Sequence, residues 1–296
     1  MPSAAVTDLL SPELLKRLER LELVSRRIFR GRLKGERRGK RKGQSVEFAD
    51  FRSYIAGDDL RFIDWNLYAR LDKLFLKLFL EEEDLHVFAL IDASESMNFG
   101  TPTKLHVAKQ LAAALGYVGL CRADRVKVAA LGPPSAAAPV LRGRASMWRM
   151  IDYLSGVEPG HNVSLSSGVK DFCLRNPGQG VVLLITDLMD KDGYESALRM
   201  LVGRRMDVYL LHVMAPEELD PPLIGDLKLV DAEDGEETEV TASGYLLNRY
   251  RRGVDSFVAG ARSFCSQRGV TYIQIRSDEP VERIVTSYLR SHGVVR

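Results

Sequence analysis

The sequence has few cysteines, and they are not spaced for metal binding or redox chemistry. Cys121, Cys173 and Cys265 are odd in number, far apart and outside any CxxC pattern. Disulfide frameworks, zinc sites and thioredoxin-like motifs all need cysteines in pairs or clusters. We therefore expect three reduced and mainly structural thiols.

Long apolar runs are also missing. No stretch approaches the roughly 18 to 20 consecutive apolar residues that a membrane span requires. The N-terminus, MPSAAVTDLLSPELL, lacks the basic start and long apolar centre of a secretory signal. We expect a soluble, unexported, cytoplasmic protein. Its 296 residues, 45% of them hydrophobic, suffice for one large α/β domain with appendages or for two small domains.

Recognisable catalytic motifs are missing as well. A DxDxT phosphatase would need a second carboxylate where Ser94 stands, and neither GxSxG nor HExxH occurs. His86 and His212 fall at or within predicted strands, where we expect hydrogen-bonded core or edge residues. A hydrolase that activates water with a metal stays an alternative, although the sequence places no side chain as its base. We expect a protein that is not an enzyme.

The most informative stretch runs from His86 to Phe99, HVFALIDASESMNF. Its apolar run Val87 to Ile91 is typical of a strand covered on both faces of a parallel sheet. Asp92, Ser94 and Ser96 follow at alternate positions, and an all-oxygen set of this kind suits a hard divalent cation such as Mg²⁺. The alternative is that these side chains only cap the next helix.

A second carboxylate is expected at the same edge of the sheet. The apolar run Val181 to Ile185 ends in Thr186 and Asp187. Parallel strands bring their carboxyl ends to one edge, where open α/β sheets bind ligands. Asp92 and Asp187 are therefore predicted to bind Mg²⁺, or else Mn²⁺ or Ca²⁺, from loops outside the core. Helices alternate with apolar strands along the chain, which predicts a doubly wound, mostly parallel sheet.

Residues 26–42 form a basic block. Ten Lys or Arg against one Glu give a charge of +9 over 17 residues, although the whole chain carries only +2. Such a block can bind the phosphate backbone of a nucleic acid or the anionic headgroups of a membrane. Binding of a nucleic acid or an anionic membrane surface through residues 26–42 is therefore an alternative function for this chain. No aromatic residue after Phe29 is interleaved with the charges to stack bases. We therefore favour an acidic protein partner or an intramolecular contact over nucleic acid.

Residues 44–84 combine charged and aromatic residues, which predicts a compact ion-paired collar. Together with the D-x-S-x-S-M string at Asp92, this segment closely resembles the bacterial family catalogued as domain of unknown function fifty-eight. That family is similar to the von Willebrand factor type A domain. The resemblance covers roughly residues 30–215. Its signature in this segment comprises Gly57, Asp58, Asp59, Arg61, Asp64, Trp65 and Arg70.

The resemblance implies a type A fold and a MoxR-type AAA+ ATPase as partner. It also implies that this chain acts with the ATPase in assembly or maturation of other proteins. It also implies a threonine ligand five residues ahead of Gly168, where this chain has Val163. Valine cannot coordinate a cation, so Asn162, Ser164 or a water must substitute, or the site is weak.

The predicted organisation has two parts. Residues 1–84 hold an N-terminal helix, from Ser11 to about Phe29, with the basic block and the collar. Residues 85–296 form the type A-like domain, with a hairpin inserted at about 216–243. The function we expect is that of a metal-dependent protein-binding adaptor, whose cation keeps an open position for an acidic residue of the partner.

Overall fold

The computed structural model describes most of the chain, and its contacts divide it into two units. The first unit is drawn from Met1–Ser25 and Leu85–Arg296, and the second from Arg26–Asp84. The predicted basic block 26–42 and the candidate ligand Asn162 lie outside the described residues. The described residues are 9–25, 47–80, 85–132, 139–160, 163–223, 225–231 and 235–296, of which 47–49 and 78–80 are described by their backbone alone.

The strands, in chain order, are β1 (Glu47–Ser53), β2 (Phe75–Leu80), β3 (His86–Asp92), β4 (Arg125–Leu131), β5 (Val181–Thr186), β6 (Asp207–Met214), β7 (Gly225–Val230), β8 (Glu237–Ala242) and β9 (Thr271–Arg276). The helices are α1 (Pro12–Leu18), α2 (Trp65–Leu71), α3 (Lys104–Cys121), α4 (Met147–Ser155), α5 (Leu165–Arg175), α6 (Glu195–Gly203), α7 (Pro216–Leu219), α8 (Gly244–Gln267) and α9 (Val281–Arg283). Helix α9 continues as π-helical turns over Ile284–Leu289.

The first unit is built on a five-stranded sheet in the order β4-β3-β5-β6-β9, with every pair parallel. The predicted doubly wound α/β sheet is therefore confirmed. Strands β5 and β6 are buried along their whole length, which explains why apolar residues dominate both strands in the sequence. Chain order reverses between β3 and β5, and the carboxyl ends of two such strands border the crevice where ligands bind in open α/β sheets.

Helices cover both faces of this sheet. On one face, α5, α6 and α8 pack on alternate residues of β3, β5 and β6 in a single apolar cluster. On the other face, α3 lies against β3 and β4. Its Gly119 comes so close that an added Cβ would lie 2.8 Å from Val126 Cγ2. This tight packing holds the C-terminal end of α3 against the sheet.

The predicted N-terminal helix is too long. Helix α1 begins with Ser11 as its cap and ends at Leu18, while the predicted end at Phe29 lies outside the described residues. Leu21 and Leu23 are buried, but Leu23 forms an antiparallel bridge to Val295 near the C-terminus. Their spacing of two is therefore that of an extended segment, and the sequence prediction mistook it for part of a helical stripe.

The second unit contains the antiparallel pair β1 and β2 together with α2. Ion pairs join side chains within it, as expected for the collar. Arg52 Nη2 lies 2.9 Å from Asp58 Oδ1, Arg61 Nη2 lies 2.6 Å from Asp59 Oδ2, and Lys77 Nζ lies 3.1 Å from Asp64 Oδ2.

Three further features complete the fold. Strands β7 and β8 pair antiparallel within residues 216–243, and α7, which the sequence prediction missed, precedes them. All three cysteines are free. In the described part of the chain, no helix is long and apolar enough to cross a membrane.

Candidate cation site at the carboxyl edge of the sheet

Asp92 is held at the end of β3 by two hydrogen bonds. Thr186 Oγ1, at the end of β5, donates to Asp92 Oδ2 at 2.6 Å, and the Ser94 backbone N–H donates to Asp92 Oδ1 at 3.0 Å. Asp92 is only 9% exposed and Asp187 only 1%. The expectation that both carboxylates lie outside the core was therefore wrong, because Asp92 is still a strand residue and Asp187 directly follows a buried strand.

Ser94 and Ser96 place their hydroxyls side by side, with the two Oγ atoms 3.0 Å apart. Ser94 precedes a short 3₁₀ turn but makes no side-chain capping bond to it. Helix α3 is capped instead by Thr103, whose Oγ1 accepts from the His106 N–H at 3.2 Å. The capping alternative is thus not supported for the two serines, and their hydroxyls remain beside Asp92.

Asp187 uses both of its carboxylate oxygens. Oδ1 accepts from the Met189 N–H at 3.1 Å, and Oδ2 accepts from Lys104 Nζ at 2.7 Å. Leu188, between Asp187 and Met189 in the chain, adopts a φ of +60° and donates its N–H to Thr186 Oγ1. A carboxylate offers about four lone-pair sites, so each oxygen keeps capacity for a further ligand.

Lys104 and Glu218 belong to the site, and the sequence reasoning missed both. Lys104 has no exposed surface, and its ammonium is also hydrogen-bonded to Glu218 Oε1. Glu218 in turn accepts from the Ala215 N–H through Oε2 at 2.8 Å. The Phe99 ring centre lies 5.9 Å from Lys104 Nζ. The sequence offers no signal for this, since a lysine at the start of a helix ordinarily extends into solvent.

His212 lies beneath Asp187 as a neutral side chain. Its Nε2 lies 2.9 Å from the Asp187 carbonyl oxygen and its Nδ1 lies 2.7 Å from the Tyr272 hydroxyl. The carbonyl can only accept, so Nε2 carries the proton and Nδ1 accepts from Tyr272. Burial lowers the pKa of His212 to about 4. The prediction of a hydrogen-bonded core histidine is confirmed.

The charges of the site do not balance. Burial, and then the charge of Asp187, raise the pKa of Asp92. Asp92, Asp187 and Glu218 are three carboxylates against the single ammonium of Lys104, which leaves two negative charges when all are ionised. No cluster of three or more His, Cys, Asp or Glu side chains suited to a metal occurs among the described residues. A cation here would therefore depend on two carboxylates and on hydroxyl oxygens.

The described part of the loop before α5 uses its serine to cap the helix. Ser164 caps α5, since its Oγ accepts from the Ser167 N–H at 3.3 Å and bonds to the Ser167 hydroxyl at 3.0 Å. Asp190, which the sequence reasoning did not single out, accepts from the Leu165 N–H. Val163 is half-buried. The Ser164 hydroxyl is thus used to cap α5. The other four candidate ligands, Asp92, Ser94, Ser96 and Asp187, lie together at one edge of the sheet.

The signature residues of the second unit have local structural roles. Asp64 caps α2 by accepting from the N–H groups of Asn66 and Leu67. Gly57 adopts a φ of +104°, which favours glycine over residues with a Cβ. The Trp65 ring contacts Tyr68 edge-on with ring centres 6.2 Å apart, and Trp65 is 61% exposed. Arg70 lies one residue before the end of α2.

Comparison with known proteins gives three results. A family model described as "Protein of unknown function DUF58" matches residues 50–256. The uncharacterized proteins Rv1480 of Mycobacterium tuberculosis and Mb1516 of Mycobacterium bovis are each 26% identical over 285 residues, which are 94% of this chain and 89% of each relative. Among solved structures, the conserved hypothetical protein BatB from Bacteroides thetaiotaomicron matches with 15% identity and a TM-score of 0.44, over 70% of this chain and 98% of that one. The SpRpn10 VWA domain matches with 10% identity and a TM-score of 0.39, over 68% and 93%.

Proposed function

The chain belongs to the family described as protein of unknown function DUF58, and we propose that it is a metal-dependent protein-binding adaptor that acts with a MoxR-type AAA+ ATPase. One observation carries the proposal. Two buried carboxylates and a pair of hydroxyls meet at the strand ends where the sheet order reverses. With Lys104 and Glu218 included, and with all three carboxyl groups ionised, the site has two unbalanced negative charges. A divalent cation matches that charge.

The side chains present fit such an ion. Asp92, Ser94, Ser96 and Asp187 would hold it, and hard oxygen donors of this kind suit Mg²⁺ first and Mn²⁺ or Ca²⁺ next. When bound, the cation supplies an open coordination position for an anionic group. The hydrogen bond from Thr186 fixes the orientation of Asp92 before any ion arrives, which reduces the entropy lost on binding.

Binding is favoured over catalysis because the described residues of the site include no evident base. His212 has both ring nitrogens engaged and a pKa lowered to about 4 by burial. It is therefore a poor general base near neutral pH, where a base needs a pKa close to the working pH. Lys104 is paired with two carboxylates and is unsuited to the same task.

The kind of partner follows from the open coordination position of a loaded site. A cation with an open position attracts a carboxylate, so the partner is expected to dock through an Asp or Glu. The MoxR-type AAA+ ATPase, and a role in assembly or maturation of other proteins, rest on the family resemblance described above.

The proposal is tested by capture of a purified MoxR-type ATPase from the same source on the immobilised full chain. Recovery should fall at least about tenfold when chelator replaces Mg²⁺, the loss expected for one charge-assisted contact. Ser94→Ala combined with Ser96→Ala should reproduce that loss. The matched control is Ser256→Ala combined with Ser266→Ala, which removes two exposed hydroxyls of α8 and should bind like the wild type.

Circular dichroism must show that the variants remain folded. Equal recovery in chelator and in Mg²⁺, with equal recovery by the Ser94/Ser96 variant, would refute the metal-dependent adaptor.

A further inference from the structure

Lys104 occupies a position that its local surroundings disfavour. It is the first residue of α3, where the helix dipole opposes a positive charge. It is also fully buried, and an ammonium removed from water is costly unless it is paired. Neither helix propensity nor packing explains a lysine here, so the reason must lie with the groups that its Nζ contacts.

Those groups are two carboxylates from distant parts of the chain. Asp187 Oδ2 lies 2.7 Å from Lys104 Nζ, and Glu218 Oε1 is hydrogen-bonded to the same ammonium. Asp187 is a proposed cation ligand, whereas Glu218 lies on α7 and is tied to the Ala215 N–H at 2.8 Å. The ammonium therefore bridges a proposed cation ligand and the short helix α7.

We propose that Lys104 is a tethered cation that competes with a divalent metal ion for Asp187 and so sets the metal affinity of the site. The inference rests on the proposed cation site. A dication drawn to Asp187 meets the ammonium on the same carboxylate, and like charges on a shared ligand repel. Glu218 keeps the ammonium paired when Asp187 turns to the metal, so the exchange leaves no buried charge without a partner.

The competition predicts opposite effects for two variants. Lys104→Met combined with Glu218→Gln removes one positive and one negative charge and leaves both proposed carboxylate ligands in place. Mg²⁺ and Mn²⁺ should then bind at least about tenfold more tightly than to the wild type, because the repelling charge beside Asp187 is gone. Glu218→Gln alone removes the second partner of the ammonium, which then holds Asp187 more strongly, so Mg²⁺ binding should weaken.

Isothermal titration of each full-length variant with MgCl₂ or MnCl₂ measures these affinities, and the rise of Tm with added Mg²⁺ provides an independent readout. The control is Arg251→Met combined with Asp220→Asn, which removes an exposed ion pair of 2.6 Å without a change in net charge. Its metal affinity should equal that of the wild type. A lysine that only stabilises the fold would lower Tm in both test variants and move their affinities in the same direction or not at all.

The outcomes separate the inference from the proposed function. If the wild type binds Mg²⁺ and the double variant binds no more tightly, the competition is refuted while the cation site stands. If only the double variant binds, Lys104 blocks the site, which supports the competition and refutes a metal-dependent adaptor. Absence of binding in both overturns the cation site and the inference together. Should the double variant fail to fold, unchanged or tighter binding by Glu218→Gln alone still refutes the inference.

Discussion

Asp187→Asn should destabilise the fold even when no metal is present. The substitution removes one of the two carboxylates that neutralise Lys104, and neither Lys104 nor Asp187 has appreciable exposed surface. Water cannot replace the lost charge at such depth. The stabilities of the variant and the wild type should be measured in excess chelator, so that any loss of metal binding does not contribute to the difference between them.

The size of the effect follows from the partners that remain. Removal of one member of a buried ion pair typically costs about 3 to 5 kcal/mol, because a buried charge is left without compensation. Glu218 stays bonded to the ammonium, and the new amide still offers a carbonyl oxygen. We therefore expect the lower end, about 3 kcal/mol. For a unit of this size that corresponds to a fall in Tm of about 6 to 12 °C.

Guanidinium unfolding followed by circular dichroism at 222 nm measures the free energy of unfolding, and calorimetry gives Tm. Asp220→Asn is the matched control, since it removes the carboxylate partner of exposed Arg251, and exposed pairs contribute little. A double-mutant cycle with Lys104→Met then isolates the coupling between Lys104 and Asp187. A loss of stability no greater than that of Asp220→Asn would refute the view that the fold depends on this pair.

Three further predictions concern the same unit. In titration calorimetry, Asp92→Asn and Ser94→Ala should each weaken Mg²⁺ binding at least about tenfold, and unchanged affinity in both would reject this donor set. Burial lowers the pKa of His212 to about 4 from 6.5, so its contribution to the free energy of unfolding is complete above pH 6.5 and is lost as the pH falls towards 4, by about 3 kcal/mol. The raised pKa of Asp92 changes the stability in the opposite direction. If burial of His212 causes the loss of stability in acid, His212→Gln should reduce that loss when both proteins are unfolded in chelator. Burial raises the pKa of Cys173, and that of Cys265 to about 12, so iodoacetamide at pH 8 should alkylate neither thiol before unfolding, as mass spectrometry would show.

Local signals were sufficient for much of the first unit. Strands β3 and β5 are uninterrupted apolar runs, because both faces of a parallel sheet are covered, and the polar residue that ends each run marks the edge of the sheet. Asp92 and Asp187 could therefore be assigned to one edge without coordinates. Local spacing was misleading at Leu21 and Leu23, since Leu23 pairs with Val295 at the opposite end of the chain, and such a pairing leaves no trace in the neighbouring sequence.

Periodicity and strand ends are properties of adjacent residues, so the α/β sheet and the oxygen-bearing side chains at its carboxyl edge could be predicted from local sequence. The way in which those side chains are neutralised depends instead on contacts between distant parts of the chain. Lys104 pairs with carboxylates 83 and 114 residues away, and a lysine at the start of a helix has the same local sequence whether it points into solvent or into the core. Long-range packing of α3 and α7 at the edge of the sheet makes that choice, since it brings two carboxylates to an ammonium that would otherwise be too costly to bury.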